Sequence, residues 1–309
     1  MSGFLARTVL SSPSAPAQAV RRQEGERAPQ PHSPMEPQLF QRFAALAYDK
    51  AGISIKPGKE ALVTARVAKR LRALSLPDPE SYLRYLEQDG TGEELTCFLD
   101  VISTHFTSFF REPDHFEHLS AELGERMAAG AKRLRVWSAA ASTGEEPYSM
   151  AMTAFEVSGL ERVDFKILAT DIALDTLRQA AQGAYSAARM EPVPRELRTR
   201  YFTRRADSNE AEGEVWEVKP ELKNCIAFRR LNLAEPPFPM QGPFDVVFCR
   251  NVLIYFDQPT RQRLISAVEG LLRPGGLLCI GHTETLSGIN STFLMQRPSV
   301  FRRPKGRAA

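Results

Sequence analysis

The stretch that decides the fold reads SAAASTGEEPYS and covers residues 138–149. It follows an apolar run and places a single glycine, Gly144, ahead of two carboxylates and Pro147. Such a turn is typical of a strand-to-helix connection in α/β proteins, where many of them bind a nucleotide. Phosphate-binding turns present glycine amides or a lysine to their ligand. Two carboxylates would repel a phosphate, so this turn must serve a different ligand.

Strands and helices alternate along most of the chain around this turn. Short apolar runs predict buried strands at FKILAT (165–170), FDVVFCR (244–250) and LLCIG (277–281), with a turn at RPGG (273–276). The helical patterns between these runs predict a doubly wound, mostly parallel sheet. The stretch STFLMQRPSVFRR (291–303) is predicted to close one edge of the sheet as a hairpin.

The segment from about residue 185 to 229 interrupts this alternation. It contains a short helical piece around 195–202, an acidic loop at 206–214 and two alternating runs, VWEVK (215–219) and CIAFRRL (225–231). These features predict a small antiparallel β-subdomain inserted into the parallel sheet. Insertions of this kind often contact the larger substrate.

Residues 37–107 show helical periodicity and predict a small all-α domain. Its helices are separated by the breaker stretches KPG (56–58), LPDP (76–79) and DGTG (89–92). The sheet domain is predicted to follow at 108–303, with a short tail at 304–309.

Residues 1–36 are rich in proline, serine and arginine and predict a disordered tail. The alternative interpretation is a transit peptide, which shares the arginine and serine content. A secretory signal is disfavoured because Arg7 interrupts the only apolar segment. A more ordinary sequence begins at Met35, which leaves open whether translation starts there.

Composition narrows the class of protein. The 309 residues are 43% hydrophobic and carry a net charge of +3, which is typical of a globular protein and too small an excess to indicate nucleic-acid binding. No apolar run approaches the roughly 20 residues of a membrane span. The four cysteines form no CxxC pair, which favours reduced thiols over a zinc site. We expect a cytoplasmic, monomeric protein without a bound metal, nucleic acid or inserted membrane segment.

The turn at 138–149 lacks the GxGxxG pattern of dinucleotide sites and the Walker pattern of P-loops. Glu145 and Glu146 have two interpretations. Acidic residues at a helix N-terminus favour the helix dipole, by about 0.3–1 kcal/mol each. A second carboxylate at the mouth of the crevice also fits a cationic ligand group. We assign the helix effect to Glu145 and the ligand contact to Glu146.

Asp171 ends the next predicted strand, where an acidic residue commonly binds the hydroxyls of a ribose. The alternative is an N-cap for the following helix. The carboxylates of the turn and Asp171 together indicate a nucleoside ligand that carries positive charge and no phosphate. S-adenosylmethionine has these features.

Two further stretches bring polar groups to the same region. In THFTSFFREPDHF (104–116), Thr107 and Arg111 are four residues apart and would share one face of a helix. Arg111 is interpreted either as a surface ion pair or as a fork for a carboxylate. CRNVLIYF follows a buried strand and places its polar side chains near the crevice, at Arg250, Asn251 and Tyr255.

The helix after Gly58 is strongly basic, with one acidic residue opposing five basic ones. A solvated face and a docking surface for an acidic partner are both compatible with this pattern. The basic residues are Lys59, Arg66, Lys69, Arg70 and Arg72.

Together these motifs resemble the CheR family, the bacterial chemotaxis receptor glutamate O-methyltransferases. The matching segments run in family order from about residue 38 to 303; they are THFTSFFREPDHF, RVWSAAASTGEEPYSMAM, ATDIALDTLRQAAQGAY, RYF, FDVVFCRNVLIYFD and LLRPGGLLCIGHTETL. The resemblance implies an all-α domain joined to a Rossmann-like methyltransferase domain with a three-stranded β-subdomain. It implies transfer of a methyl group from S-adenosylmethionine to glutamate side chains of chemoreceptor cytoplasmic domains.

The resemblance also implies roles for individual residues. Arg111 and Tyr255 would lie nearest the transferred methyl group. The cofactor would be lined by Thr107, Arg111, Glu146, Asp171, Asn232, Leu233, Arg250 and Asn251. The basic helix would face the receptor, and the β-subdomain leaves open whether a receptor's C-terminal peptide binds there. His105 departs from the asparagine of many relatives, so a contact at that position stays open.

Three other functions are compatible with parts of the pattern. A methyltransferase for nucleic acid or a small molecule would need a basic groove or a base pocket, which the small net charge does not support. A non-catalytic scaffold would be expected to lack Arg111, Tyr255 or Asp171. A related module in a non-chemotactic signalling pathway stays open.

Overall fold

The computed structural model describes residues 35–103, 106–206 and 214–306. The predictions for residues 1–34, for His105, for the acidic loop at 207–213 and for the last three residues fall outside these ranges.

Four helices form the amino-terminal part of the described chain: α1 (Pro37–Ala51), α2 (Glu60–Leu74), α3 (Pro79–Gln88) and α4 (Glu93–Ile102). Asp78 caps α3, because its carboxylate accepts from the Ser81 N–H at 2.7 Å. Pro79 suits the first turn, because it has no N–H that would need an acceptor there. The rings of Phe43, Tyr82 and Phe98 pack together at the centre of this helical domain.

The rest of the described chain is built on a seven-stranded sheet in the order β6-β2-β1-β7-β8-β10-β9. Its strands are β1 (Arg133–Ser138), β2 (Asp164–Asp171), β6 (Ile226–Arg230), β7 (Phe244–Cys249), β8 (Leu272–Ile280), β9 (Leu294–Arg297) and β10 (Val300–Arg302). The first five pair in parallel, whereas β9 and β10 form the antiparallel edge hairpin that the sequence predicts. The predicted fold class is confirmed.

Helices cover both faces of this sheet. The main ones are α5 (Asp114–Ala128), α6 (Glu145–Phe155), α7 (Leu174–Gln182) and α11 (Gln258–Leu271). Neighbouring residues of a strand face opposite sides, so Val136 packs in one apolar cluster with α5 and α6, while Trp137 packs in another with α11. Burial on both faces explains why β7 is apolar except for Asp245, whose buried carboxylate pairs with Arg126 and Arg273.

Three short strands form the separate antiparallel subdomain: β3 (Ala184–Ser186), β4 (Phe202–Ala206) and β5 (Glu214–Val218), in the order β3-β5-β4. The short helices beside them are α8 (Ala187–Met190), α9 (Arg195–Tyr201) and α10 (Pro220–Lys223).

Three local predictions were wrong. CIAFRRL does not join the antiparallel subdomain, because Ile226–Arg230 pairs in parallel with β2 at the edge of the main sheet. RPGG is not a turn between two elements, since it lies inside β8, where Gly275 has φ +77° and the register against β7 shifts. Thr107 and Arg111 do not share a helix, because residues 106–113 form a loop ahead of α5.

Among the described residues, we find no helix whose length and apolarity would let it cross a membrane.

Candidate active site

A cavity lies where the parallel strands end and the helical domain covers them, with about 930 Å³ of empty space when its opening to solvent is included. Ligand sites of α/β sheets occupy this position. Its lining includes every site residue that the sequence predicts: Thr107, Arg111, Glu146, Asp171, Asn232, Leu233, Arg250, Asn251 and Tyr255. The helical domain contributes three more lining residues, Ala51, Ile53 and Ser103.

The turn between β1 and α6 needs its single glycine. Gly144 has φ +99°, and a Cβ there would come within 2.7 Å of the Tyr185 hydroxyl and 3.0 Å of Ala180. Only glycine fits this conformation and this contact without strain. The turn therefore brings α6 close to β3 and α7 and points the first turn of α6 at the cavity.

The two carboxylates of this turn face different surroundings. Glu146 lines the cavity, and its carboxylate accepts from Ser138 Oγ at 2.7 Å and from Arg250 Nη1 at 2.9 Å. Glu145 is buried away from it, where Arg189 Nη1 donates to it at 2.6 Å and Thr143 Oγ1 at 2.6 Å. Glu145 therefore links α8 to the turn through Arg189. The helix-dipole interpretation did not include this ion pair.

Arg250 lies between two carboxylates and is itself buried. Its Nη2 donates to Glu112 Oε2 at 3.0 Å and to the Arg111 carbonyl, while Nη1 donates to Glu146. Burial raises the pKa of the Glu146 carboxyl, against the opposing effect of Arg250. Burial acts on Glu112 in the same direction, but its donors Arg250 and Asn251 outweigh it and hold the pKa of Glu112 below its usual value.

Asp171 ends β2 at the cavity wall. Its carboxylate accepts from the Ser142 N–H at 2.8 Å and from the Ala173 N–H at 3.0 Å. The N-cap of α7 is Ala173, so the alternative in which Asp171 caps that helix is wrong. The two backbone donors instead fix the carboxylate between the first two strand ends.

Arg111 extends from the loop before α5. Its Nη1 donates to the Phe106 carbonyl at 2.8 Å, and its guanidinium lies 5.4 Å from the centre of the Phe106 ring. That ring is 74% exposed, although Phe106 also lines the cavity. Arg111 and Phe106 thus stand together at the cavity mouth.

The loop after β7 carries Asn251 and Tyr255. Glu284 fixes its backbone, because its carboxylate accepts from the N–H groups of Asn251 at 2.9 Å and Gly281 at 2.6 Å. Tyr255 closes a short 3-10 helix, Leu253–Tyr255, and is half-buried at the cavity.

The helical domain is bonded to the sheet domain around the cavity. The Ser54 N–H donates to the Tyr255 carbonyl at 2.8 Å, and Asn232 Nδ2 donates to the Lys50 carbonyl at 3.0 Å. The Asn232 side chain therefore holds the two domains together, in addition to lining the cavity.

The basic residues of α2 divide into two groups. Arg66 donates to the carbonyls of Val101 and Ser103, and Arg70 pairs with buried Glu94 at 2.6 Å. Burial lowers the pKa of Arg66. Arg66 lies beside the site, because the Ser103 carbonyl to which it donates belongs to a cavity-lining residue. The exposed members of the set are Lys59, Lys69 and Arg72.

Sequence reasoning missed several residues of the site. Glu112, Ser138 and Glu284 each hold a predicted site residue in place. Glu112 and Glu284 lie 138 and 33 residues from the residues that they hold, and Ser138 lies within β1, so no spacing pattern marks them. The cavity-lining residues of the helical domain are Ala51, Ile53 and Ser103, residue types that also give no signal.

These groups fit S-adenosylmethionine. The cavity combines apolar walls, such as Leu233 and Phe256, with carboxylates at Glu146 and Asp171. Carboxylates suit the ammonium group, the sulfonium and the ribose hydroxyls, and Arg111 suits the ligand's own carboxylate. Ser142 also lines the cavity and presents a buried hydroxyl with no hydrogen-bond partner among the described residues.

Two family models match the chain. The model described as "CheR methyltransferase, all-alpha domain" matches residues 38–103, and "CheR methyltransferase, SAM binding domain" matches residues 105–300. Among curated proteins, the chain is 41% identical over 245 residues to chemotaxis protein methyltransferase 2 of Pseudomonas aeruginosa, covering 79% of this chain and 85% of that protein. It is 38% identical over 269 residues to the chemotaxis protein methyltransferase of Salmonella typhimurium, covering 87% and 91%. The Escherichia coli protein of that name is 39% identical over 262 residues, covering 85% and 89%.

Proposed function

The chain belongs to the CheR methyltransferase family, and on this premise we propose that it methylates glutamate side chains of chemoreceptors to give glutamate methyl esters. It is an S-adenosylmethionine-dependent methyltransferase. The observation that carries the proposal is that Glu146, Asp171, Arg111 and Tyr255 all line the same cavity, which the helical domain covers. Receptor methylation of this kind adjusts sensory adaptation.

We propose that the cofactor is held by the residues predicted for it. Glu146 and Asp171 would hold its ammonium and ribose groups, and Leu233 would pack against its base. Bound S-adenosylmethionine supplies an activated methyl group on a positively charged sulfur. Arg111 and Tyr255 would stand on the side from which the acceptor enters.

The acceptor requires little chemical activation. A glutamate has a pKa near 4.3 and is already ionised at neutral pH, so the proposed reaction needs no general base. The task of the protein is to align the acceptor oxygen with the methyl group and to exclude water. Arg111 at the cavity mouth would orient the incoming carboxylate, and Ala51 and Ile53 would cover the cavity from the helical domain.

The exposed face of α2 is the proposed receptor contact. Lys59, Leu62 and Lys69 are exposed and lie three and seven residues apart, so they share a helix face, and Leu62 is 41% exposed. Arg66 lies on the same side of α2 and connects it to the cavity, because it donates to the carbonyl of the cavity-lining residue Ser103. A helical receptor segment with acidic side chains would match this combination of charge and apolar surface.

The β-subdomain is proposed as a second contact, for a receptor's C-terminal peptide. Strand β4 is an edge of the three-stranded sheet, and Arg205 on it is exposed. An edge strand can bind an extended peptide through backbone hydrogen bonds, and arginine can pair with its carboxylate. The Arg204 N–H faces away from β5, because the hydrogen-bonded pairs of this ladder alternate from Tyr201–Lys219. Binding of a receptor-tail peptide that Arg204→Pro abolishes and Arg204→Ala retains would support this contact, whereas unchanged binding in Arg204→Pro would remove it.

The described residues of one chain line the whole cavity, which supports action as a monomer. We propose that the protein acts in the cytoplasm, because its proposed acceptor is the cytoplasmic domain of a receptor.

The test is incubation with methyl-labelled S-adenosylmethionine and membranes that carry chemoreceptors. We expect the receptor to carry label, and we expect mild base to release that label, because base hydrolyses carboxyl methyl esters. Label confined to nucleic acid, to small molecules or to base-stable positions would contradict the proposal.

A further inference from the structure

Glu112 occupies a strained position directly after Arg111. Its φ is +56°, in the left-handed region that non-glycine residues rarely adopt, and Phe110 and Asn251 nearby have φ +52° and +56°. Strain of this kind persists only where the surroundings fix the backbone, and it concentrates at functional sites. The strained turn directs the Glu112 side chain between the ends of β7 and β8.

The carboxylate of Glu112 joins both of these strand ends. Oε2 accepts from Arg250 Nη2 at 3.0 Å and from the His282 N–H at 3.2 Å, and Oε1 accepts from Asn251 Nδ2 at 3.3 Å. Glu284 holds the same loops through backbone N–H groups alone. Glu112 therefore is the carboxylate that fixes the side chains of two cavity-lining residues.

The contact between Glu112 and Arg250 also affects the net charge beside the cavity. Arg250 is one cation between two carboxylates, Glu112 and Glu146, at 3.0 Å and 2.9 Å. With both carboxylates ionised, the three groups carry one net negative charge, and two of them, Glu146 and Arg250, line the cavity. Without Glu112, Arg250 would neutralise Glu146 alone, and the cavity would lose the charge that suits a cationic ligand.

We propose that Glu112 is a positioning residue of the cofactor site, which orients Arg250 and Asn251 and supplies the counter-charge that leaves Glu146 available to a cationic ligand. This inference rests on the proposed assignment of the cavity to S-adenosylmethionine. It assigns Glu112 no contact with the reacting atoms.

The test compares Glu112→Gln and Glu112→Asp with Glu117→Gln, a change at an exposed glutamate in the first turn of α5. Calorimetry measures the affinity of each purified protein for S-adenosylmethionine and for S-adenosylhomocysteine, which lacks the sulfonium charge. Glu112→Gln should weaken S-adenosylmethionine binding about tenfold or more, because a charge-assisted hydrogen bond and a net charge are lost. Glu112→Asp should recover part of this loss, and Glu117→Gln should match the unaltered protein.

The ratio of the two affinities separates a charge effect from a packing defect. Removing one negative charge beside the cavity should lower the preference for the sulfonium about threefold or more, because opposite charges attract one another even with strong solvent screening. An unchanged ratio and unchanged affinities in a Glu112→Gln protein of normal melting temperature would overturn the proposal.

Two further arms keep the outcome specific. Glu112, His115 and His282 bring possible metal ligands within 4.8 Å of one another, so each titration is repeated after EDTA treatment. Unchanged affinity is expected, and a loss equal to that of Glu112→Gln would assign the cluster to a metal and overturn the proposal. Binding needs no receptor, so failure of receptor methylation with intact Glu112-dependent binding would contradict the proposed substrate alone.

Discussion

At the scale of single residues, the site is organised by carboxylates with different partners. Glu146 faces the cavity and shares Arg250 with Glu112, whereas adjacent Glu145 faces Arg189. Neighbouring positions at the start of a helix point about 100° apart, so one residue can serve a ligand and the next can serve the fold. Their substitution should therefore have different effects.

Glu146→Gln should weaken S-adenosylhomocysteine binding about tenfold or more, because it removes a charge from the cavity. It should also lower the melting temperature, because buried Arg250 loses one of its two carboxylate partners. Glu145→Gln should leave the affinity near its original value and lower the melting temperature, because it breaks the buried side of the Arg189 pair. Calorimetry and thermal unfolding of both variants check this. Equal losses of affinity would contradict the division of roles.

The imidazole of His115 gives a prediction about acid stability. Burial, with a contribution from Arg250, lowers the pKa of His115 to about 4 in the folded protein, whereas the unfolded value is about 6.5. Between these values the unfolded chain binds more protons, so this contribution to stability is complete above pH 6.5 and is lost as the pH falls toward 4. The loss should not exceed about 3 kcal/mol.

Urea unfolding between pH 4 and pH 7 measures this effect. His115→Gln should show a flatter dependence on pH than the unaltered protein over that range. Parallel curves would mean that His115 titrates normally.

At the scale of elements, the turn between β1 and α6 shapes the cavity, and the basic helix α2 is the proposed receptor contact. The strand-turn-helix order was predictable because Gly144, the two carboxylates and Pro147 each have a local structural meaning. The strand that pairs with CIAFRRL was not predictable, because its alternating residues are equally compatible with a parallel edge strand and an antiparallel one. The contacts of Glu112 were not predictable either, since Arg250 and His282 lie 138 and 170 residues away.

Gly144→Ala should destabilise the protein by about 2–5 kcal/mol, because it adds a Cβ at positive φ against Tyr185 and Ala180. The control is Gly270→Ala in α11, where a Cβ meets nothing within 4 Å and alanine favours the helix. The control should be neutral or stabilising in thermal unfolding. Equal melting temperatures for the two variants would show that the turn tolerates a side chain.

Charge reversal on α2 should act on the receptor and not on the cofactor. Lys69→Glu should raise the KM for receptor several-fold at low salt, less so at high salt, and leave S-adenosylhomocysteine affinity unchanged. Arg162→Glu makes the same charge change before β2, at the opposite end of the strands from the cavity, and should have no effect on KM. A similar KM increase in both variants would mean that net charge, and not the α2 face, governs docking.

At the scale of the whole molecule, the two domains form one site. The helical domain supplies cavity-lining residues and bonds to the loop that carries Tyr255, while the parallel sheet supplies the carboxylates. The sequence predicted both domains and the polar residues of the cavity from motifs and family resemblance. It could not predict how the helical domain closes the cavity, because Ala51, Ile53 and Ser103 have no distinctive chemistry.

The most direct measurement is tandem mass spectrometry of a purified chemoreceptor cytoplasmic domain after incubation with the protein and S-adenosylmethionine. We predict methyl esters on glutamate side chains, and a loss of about 100-fold or more in their rate of formation with Arg111→Ala, whose melting temperature should be unchanged. Methylation of other residue types, or no methylation of receptor by a protein that binds S-adenosylmethionine normally, would contradict the assignment.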